Sequence, residues 1–168
     1  MRSISGALRP IATAALSLAI VGCLSTTTPP KGSDPATETY AASLGVNIGQ
    51  MTKMADALYI QDVVVGTGAV LAKGDSLSVR YTLWFVNGTQ FASNVADTIP
   101  LFFRIGVGEV IVGWDLGLIG MHEGGKRRLI IGSDLAYGAT GAGNCSVQQC
   151  IPGNTTLVFD IQMIAKYP

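Results

Sequence analysis

Residues able to do covalent chemistry are few in this chain, and their spacing excludes most reaction types. His122 is the single histidine, and no Cys or Ser stands beside it to form a nucleophile–base pair. Gly120 to Lys126 carries a G-x4-G-K spacing, but Arg127 stands where a phosphate loop needs a hydroxyl for Mg²⁺. Cys145 and Cys150, in a Gly/Asn/Ser/Gln-rich stretch, lack the neighbouring His or second Cys pair of a zinc site, so no metal is expected. Asp134 reads as a structural hydrogen-bond acceptor. What remains is aromatic and apolar: Gly106 to Trp114 (Gly-Val-Gly-Glu-Val-Ile-Val-Gly-Trp) and Asp134 to Gly141 (Asp-Leu-Ala-Tyr-Gly-Ala-Thr-Gly). Such residues act by excluding water and shaping a pocket, without a covalent step.

The elements that must position them follow from local pattern. Order is expected to begin near Leu58, with Tyr59 to Val65 as a strand closed by Gly66-Thr-Gly68. Leu77, Val79, Tyr81 and Leu83 alternate with Ser78, Arg80, Thr82 and Trp84, the period of a half-buried strand. Asn87-Gly88 suits a type I′ hairpin turn, returning the chain at Gln90-Phe91 and bringing Phe91 near the strand of Tyr81. Leu101 to Ile105 is a further strand. Val110, Ile111, Trp114, Leu116 and Leu118 then fall near helical spacing, so a short helix can turn Trp114 towards a core or pocket. Met121 to Gly125 is a turn, and Lys126-Arg127-Arg128 the solvated start of a strand running to Ile131. A long loop from Gly132 to Asn154 precedes a last strand, in which Leu157, Phe159, Ile161 and Met163 alternate with Val158, Asp160, Gln162 and Ile164. Antiparallel strands with one short helix indicate an α+β domain. Asn87-Gly-Thr89 and Asn154-Thr-Thr156 match glycosylation acceptors but read as turn chemistry.

The N-terminus belongs to export rather than to the fold. Arg2 and Arg9 precede an apolar run, Ile11 to Val21, too short to span a bilayer, and Ile20-Val21-Gly22-Cys23 follows. Residues 1–22 are a signal peptide whose last residues, with Cys23, resemble a bacterial lipobox; Cys23 is the expected lipidation site. Residues 23–51, rich in Thr, Ser, Pro, Ala and Gly, read as a flexible tether, with Tyr40 to Ile48 apolar enough that packing on the domain stays open. Removing 22 of the 168 residues leaves 146, enough for one core. Without Arg2 and Arg9 the eleven basic residues fall to nine against eleven acidic ones, and nothing electrostatic suggests nucleic acid. In an exported chain Cys145 and Cys150 are most simply a disulfide.

The combination E-V-I-x-G-W at 109–114 with D-x-A-Y-G at 134–138 resembles the FKBP family of peptidyl-prolyl cis-trans isomerases, the macrolide-binding immunophilins, over roughly residues 51–168. The resemblance implies a curved antiparallel sheet of five or six strands wrapped around the helix, across a domain at 52–168. It implies a cup lined by Tyr81, Phe91, Trp114, Tyr137 and Phe159 as catalytic residues, with Trp114 as its floor. Leu101, Glu109, Val110, Ile111, Ala136 and Ile151 would contact substrate; the Ile111 N–H and Tyr137 hydroxyl would hold carbonyls, and the Glu109 carbonyl would accept from an extended ligand. No cofactor is implied. The implied partners are proline-containing, unfolded or partly folded exported proteins, macrolides, and the membrane through the N-terminal lipid. Leu24, where an Asp would resemble an inner-membrane retention signal, points to the periplasmic face of the outer membrane in the bacterial envelope. The sequence also departs from the family pattern: Phe91-Ala92-Ser93 replaces F-D-S, Asp97 replaces the Arg that pairs with that Asp, and Leu101 replaces an aromatic. A non-catalytic proline-peptide binder or holdase is therefore the rival reading.

Overall fold

The computed structural model describes residues 32, 34–147 and 149–167; the signal peptide and Cys23 lie outside them. Among the described residues nine strands form: β1 (Thr52–Ala55), β2 (Leu58–Val64), β3 (Ser76–Phe85), β4 (Gln90–Ser93), β5 (Leu101–Arg104), β6 (Lys126–Ile131), β7 (Ala142–Asn144), β8 (Gln149–Ile151) and β9 (Leu157–Tyr167). One helix, α1 (Val112–Gly117), follows β5.

The main sheet is antiparallel in the order β1-β2-β6-β9-β3-β4, with β5 also on β3. β5 pairs with Ser76–Val79 and β4 with Thr82–Trp84, so the two share one edge in succession. Seven strands thus occupy six positions, consistent with the curved sheet expected. The strands missed from sequence are β1, a Thr-Lys-Met-Ala that turns into β2 through Ala57 at φ 62°, and the β7–β8 pair, which lies inside the stretch read as one long loop.

Strand alternation makes two faces. Leu77, Val79 and Leu83 on β3, Leu129 and Ile131 on β6, and Leu157, Phe159 and Ile161 on β9 pack with Trp114 and Leu118 into the main core. α1 can lie directly on this face because Gly113 and Gly117 carry no Cβ: one at Gly113 would stand 2.5 Å from Ile131, and one at Gly117 would stand 2.6 Å from Leu129. The helix is shorter than the apolar spacing suggested. Val110 and Ile111 precede it, and Leu116 is exposed. Its last turn is capped from the sheet, since the Arg127 guanidinium donates to the Gly117 and Ile119 carbonyls while chelating the Asp62 carboxylate at 2.7 and 3.0 Å. Arg127 is 5% exposed, and Arg128 chelates Asp160 at 2.6 and 2.9 Å. The basic run is therefore a pair of structural clamps, contrary to the expected solvated strand start. Carboxylates on the neighbouring strands β2 and β9, invisible to local pattern, make the difference.

The opposite face is covered by part of the stretch read as tether. Residues 34–51 form three short 3₁₀ turns, Pro35–Thr37, Ala42–Leu44 and Ile48–Gln50. Leu44 and Met51 are buried against Tyr59, Ile130 and Val158, with Tyr40, Val46, Ile48 and Trp84 around them. Polar bonds fix this layer: Ala41 N–H to Val86 O at 2.8 Å, Arg128 to Leu44 O at 2.6 Å, and the Tyr40 hydroxyl to Pro35 O at 2.7 Å. A tether boundary at residue 51 therefore does not describe residues 34–51, which dock because Val158, Ile130 and Tyr59 leave an apolar strip on the outer face. The β3–β4 turn also differs from expectation. Gly88 has φ 87° but Asn87 is not left-handed, and Gly88 N–H donates to Phe85 O while Phe85 N–H donates to Thr89 O. That is a type I turn followed by a glycine bulge rather than type I′. A Cβ at Gly88 would stand 2.9 Å from Ser43 Oγ, so the docked layer crowds any side chain at this position.

Candidate functional site

Between α1 and the β3–β9 face, walled by the loop after β6, lies a cavity of ≈ 560 Å³. Trp114 is its base, 4% exposed. The indole meets Tyr81 edge-on at 5.4 Å, Phe159 edge-on at 5.3 Å and Phe103 at 5.5 Å. Each such pair adds about 0.5–1.5 kcal/mol beyond burial, so the floor is held rigidly before any ligand arrives. Phe91 forms a further wall, itself backed by Phe85 at 5.3 Å.

The structure brings together ten of the eleven expected catalytic and substrate-contacting residues: Tyr81, Phe91, Leu101, Glu109, Val110, Ile111, Trp114, Tyr137, Ile151 and Phe159 all line the cavity. Ala136 does not. It packs against the main core, and its N–H closes the Ser133–Leu135 turn on Ser133 O at 2.9 Å. Leu83, Ala92 and Gly108 line the cavity as well. Leu83 was legible, being two residues from Tyr81 on one strand face. Asp115, which sequence reasoning passed over, shapes the site from outside. Its carboxylate accepts from Gly106 N–H at 2.7 Å and Gly108 N–H at 2.8 Å, fixing the loop that presents Glu109 to Ile111. Both glycines have positive φ, 76° and 81°, which a side-chain-bearing residue would resist.

The cavity's polar groups include donors that have no acceptor. The Trp114 Nε1–H is buried and has no acceptor among the described residues. The Ile111 amide precedes the helix and likewise meets none among them. The Tyr137 phenol is held above its ordinary pKa by burial and then by the nearby Tyr81 phenol, so it stays protonated and able to donate at neutral pH. The one charged lining residue, Glu109, turns its carboxylate to Arg104, taking its N–H at 2.8 Å. No group of three or more His, Cys, Asp or Glu side chains able to hold a metal ion occurs among the described residues. His122 sits by Gly68 O at 3.2 Å and outside the cavity lining.

One loop completes the wall and another braces the strand that carries Tyr81. β7 and β8 form a hairpin closed by the Cys145–Cys150 disulfide, which seats Ile151, 4% exposed, in the wall. On the other side, Asn94 stands where β4 ends and replaces its ladder. Its amide side chain accepts from Tyr81 N–H at 2.7 Å and donates to Val79 O at 3.2 Å. Arg80 then ties the Asn94 and Asp97 carbonyls together at 2.7 Å each.

Residues 68–164 match the family model described as FKBP-type peptidyl-prolyl cis-trans isomerase. The FK506-binding protein of Neisseria meningitidis serogroup A is 44% identical over 111 residues, 66% of this chain and 97% of that protein. Among solved structures, the crystal structure of AtFKBP13 superposes with a TM-score of 0.64 at 42% identity, covering 70% of this chain and 99% of that one. A peptidyl-prolyl cis-trans isomerase from Pseudomonas syringae pv. tomato follows with 0.60 at 35% identity, covering 76% and 87%. With the fold, the aromatic cup and these likenesses in agreement, the chain belongs to the FKBP-type peptidyl-prolyl cis-trans isomerase family.

Proposed function

We propose that this chain accelerates X-Pro isomerisation in exported proteins, from a bacterial envelope to which acylated Cys23 anchors it, on the periplasmic face of the outer membrane. The observation that carries the activity is the indole floor ringed by Tyr81, Phe103 and Phe159 beneath an open apolar cavity.

Cis and trans X-Pro bonds differ by only about 0.5–1 kcal/mol, but about 18–20 kcal/mol separates them because rotation breaks amide resonance. No nucleophile, metal or cofactor is needed; the site must favour the twisted amide over the planar one. The planar imide carries the greater charge separation, so a dry aromatic cup raises it relative to the twisted form. Donors placed at the flanking carbonyls, here the Ile111 amide and the Tyr137 hydroxyl, hold the chain while the prolyl ring turns. Each 1.36 kcal/mol of that difference gives about tenfold in rate. Macrolide binding would use the same floor.

The test is cis-to-trans conversion of a proline tetrapeptide by the mature chain, with Trp114→Ala as control. Acceleration lost in the control supports the reading, whereas none above buffer at micromolar protein overturns it. Ala92 favours a second reading, a proline-peptide binder or holdase, because it sets a methyl on the wall where the family pattern has a carboxylate. Installing Ala92→Asp with Asp97→Arg separates the two. A large gain in rate means a weakened isomerase, and binding without turnover in either form means a binder.

A further inference from the structure

On β3, Tyr81 and Leu83 line the large cavity, while Arg80, Thr82 and Trp84 line a smaller one of ≈ 120 Å³ on the opposite face of the sheet. Strand register builds this second cavity. Arg80 lies opposite Gln162 on β9, and Gln162 lies opposite Lys126 on β6. A guanidinium, an amide and an ammonium thus stand in one row across three neighbouring strands. The next row holds Thr82, Asp160 and Arg128, and there Arg128 already chelates the carboxylate. Lys126 is left with a long contact to Asp160 at 3.8 Å. Arg80 spends Nη1 on the Asn94 and Asp97 carbonyls and forms no ion pair among the described residues.

Two cations and one carboxylate give the lining a single positive charge in excess, which suits a monoanion better than a dianionic phosphate. Trp84 and Val95 add apolar surface for the carbon that carries the anion. We propose that this cavity binds the side-chain carboxylate of an Asp or Glu in a client chain whose proline occupies the large cavity. The proposal rests on the reading of the large cavity as a prolyl site. The segment between β4 and β5 joins the two: Val95 lines the small cavity, Ile99 is 78% exposed, and Leu101 lines the large one. From Val95 to Leu101 the chain reaches at most about 22 Å, so a client linker of about eight residues can join the sites. A side-chain carboxylate lets the client run on to its proline in either direction, which a chain terminus does not. Two weak contacts on one chain then reinforce each other through effective concentration, so proline segments with an acidic residue at that spacing are preferred.

The test uses the whole mature chain with Cys23→Ser. Its two tryptophans report the two sites separately, Trp84 at the small cavity and Trp114 at the large one. The probes are acetyl-Ala-Glu-Ala-amide, its Gln counterpart, acetyl-Ala-Ala-Ala with a free C-terminus, and inorganic phosphate. A fifth is a Glu joined through eight Gly/Ser residues to Ala-Leu-Pro-Phe. The Glu peptide should shift the Trp84 Nε1–H resonance and not that of Trp114, and the Gln peptide should shift neither. Lys126→Gln should weaken the Glu peptide about three- to tenfold, and Gln162→Glu, an exposed position, should abolish its binding by like-charge repulsion. The linked peptide should bind at least about tenfold tighter than Ala-Leu-Pro-Phe alone, a gain lost in Gln162→Glu. No Trp84 shift with the Glu peptide, or a shift that survives Gln162→Glu, overturns the proposal. So does tighter binding of phosphate or of the free C-terminus, or a linked peptide with no gain. A linked peptide that gains affinity and shifts both indoles without turnover keeps the carboxylate site and overturns the isomerase reading, so the two failures are distinguishable.

Discussion

At the scale of single residues, two tyrosines separate function from stability. The Tyr137 hydroxyl donates to no group among the described residues and is partly open to solvent. Tyr137→Phe should therefore lower isomerisation several-fold while leaving the thermal midpoint within about a degree; a large midpoint loss would mean the phenol is structural. Tyr40 is the opposite case. Burial first, then Glu38, drives its pKa far above the ordinary 10.0, and its hydroxyl donates to Pro35 O. Below pH 10 both states hold the proton and its contribution is fully present. Above it the unfolded chain ionises first, so stability falls as pH rises. Tyr40→Phe should cost about 1 kcal/mol at neutral pH and flatten the alkaline limb of a denaturation series. A limb of unchanged slope would show that other groups set it.

At the scale of elements, α1 is positioned by two absent side chains. Gly113 lets the helix rest on Ile131, and the indole one residue later inherits that depth. Gly113→Val should lift the helix, cost about 1–3 kcal/mol through overpacking, and raise KM for a proline peptide through the displaced Trp114. A stable variant with native KM would show that helix depth does not set the floor.

At the scale of the whole molecule, the layer of residues 34–51 makes the domain larger than its family match. Leu44→Ala should cost about 2 kcal/mol, and hydrogen exchange should find the Ala41 amide, bonded to Val86 O, protected with the core. Exchange of residues 34–51 at unfolded-chain rates would refute this layer. Only Leu24 to Lys31 then separates the proposed lipid from Gly32. These eight residues span at most about 28 Å, which would hold the cavity close to the membrane.

By itself the amino-acid order determined the main-sheet strands from Tyr59 onward, the short helix, the aromatic set and its family. Period-two alternation and glycine-marked turns are local properties, and Trp114, Tyr137 and the E-V-I motif are read one residue at a time. Only tertiary structure decided that Arg127 and Arg128 are clamps, that Asp115 holds the Gly106–Gly108 loop, and that Ala136 stays out of the cavity lining. It likewise decided that a Thr/Ser/Ala-rich stretch is a docked layer and that Gly32 abuts Asp134. Most depend on a partner tens of residues away or across a strand pair, outside any local window; the Asp115 contacts, seven and nine residues apart, depend on a loop path that hydrophobic periodicity does not encode.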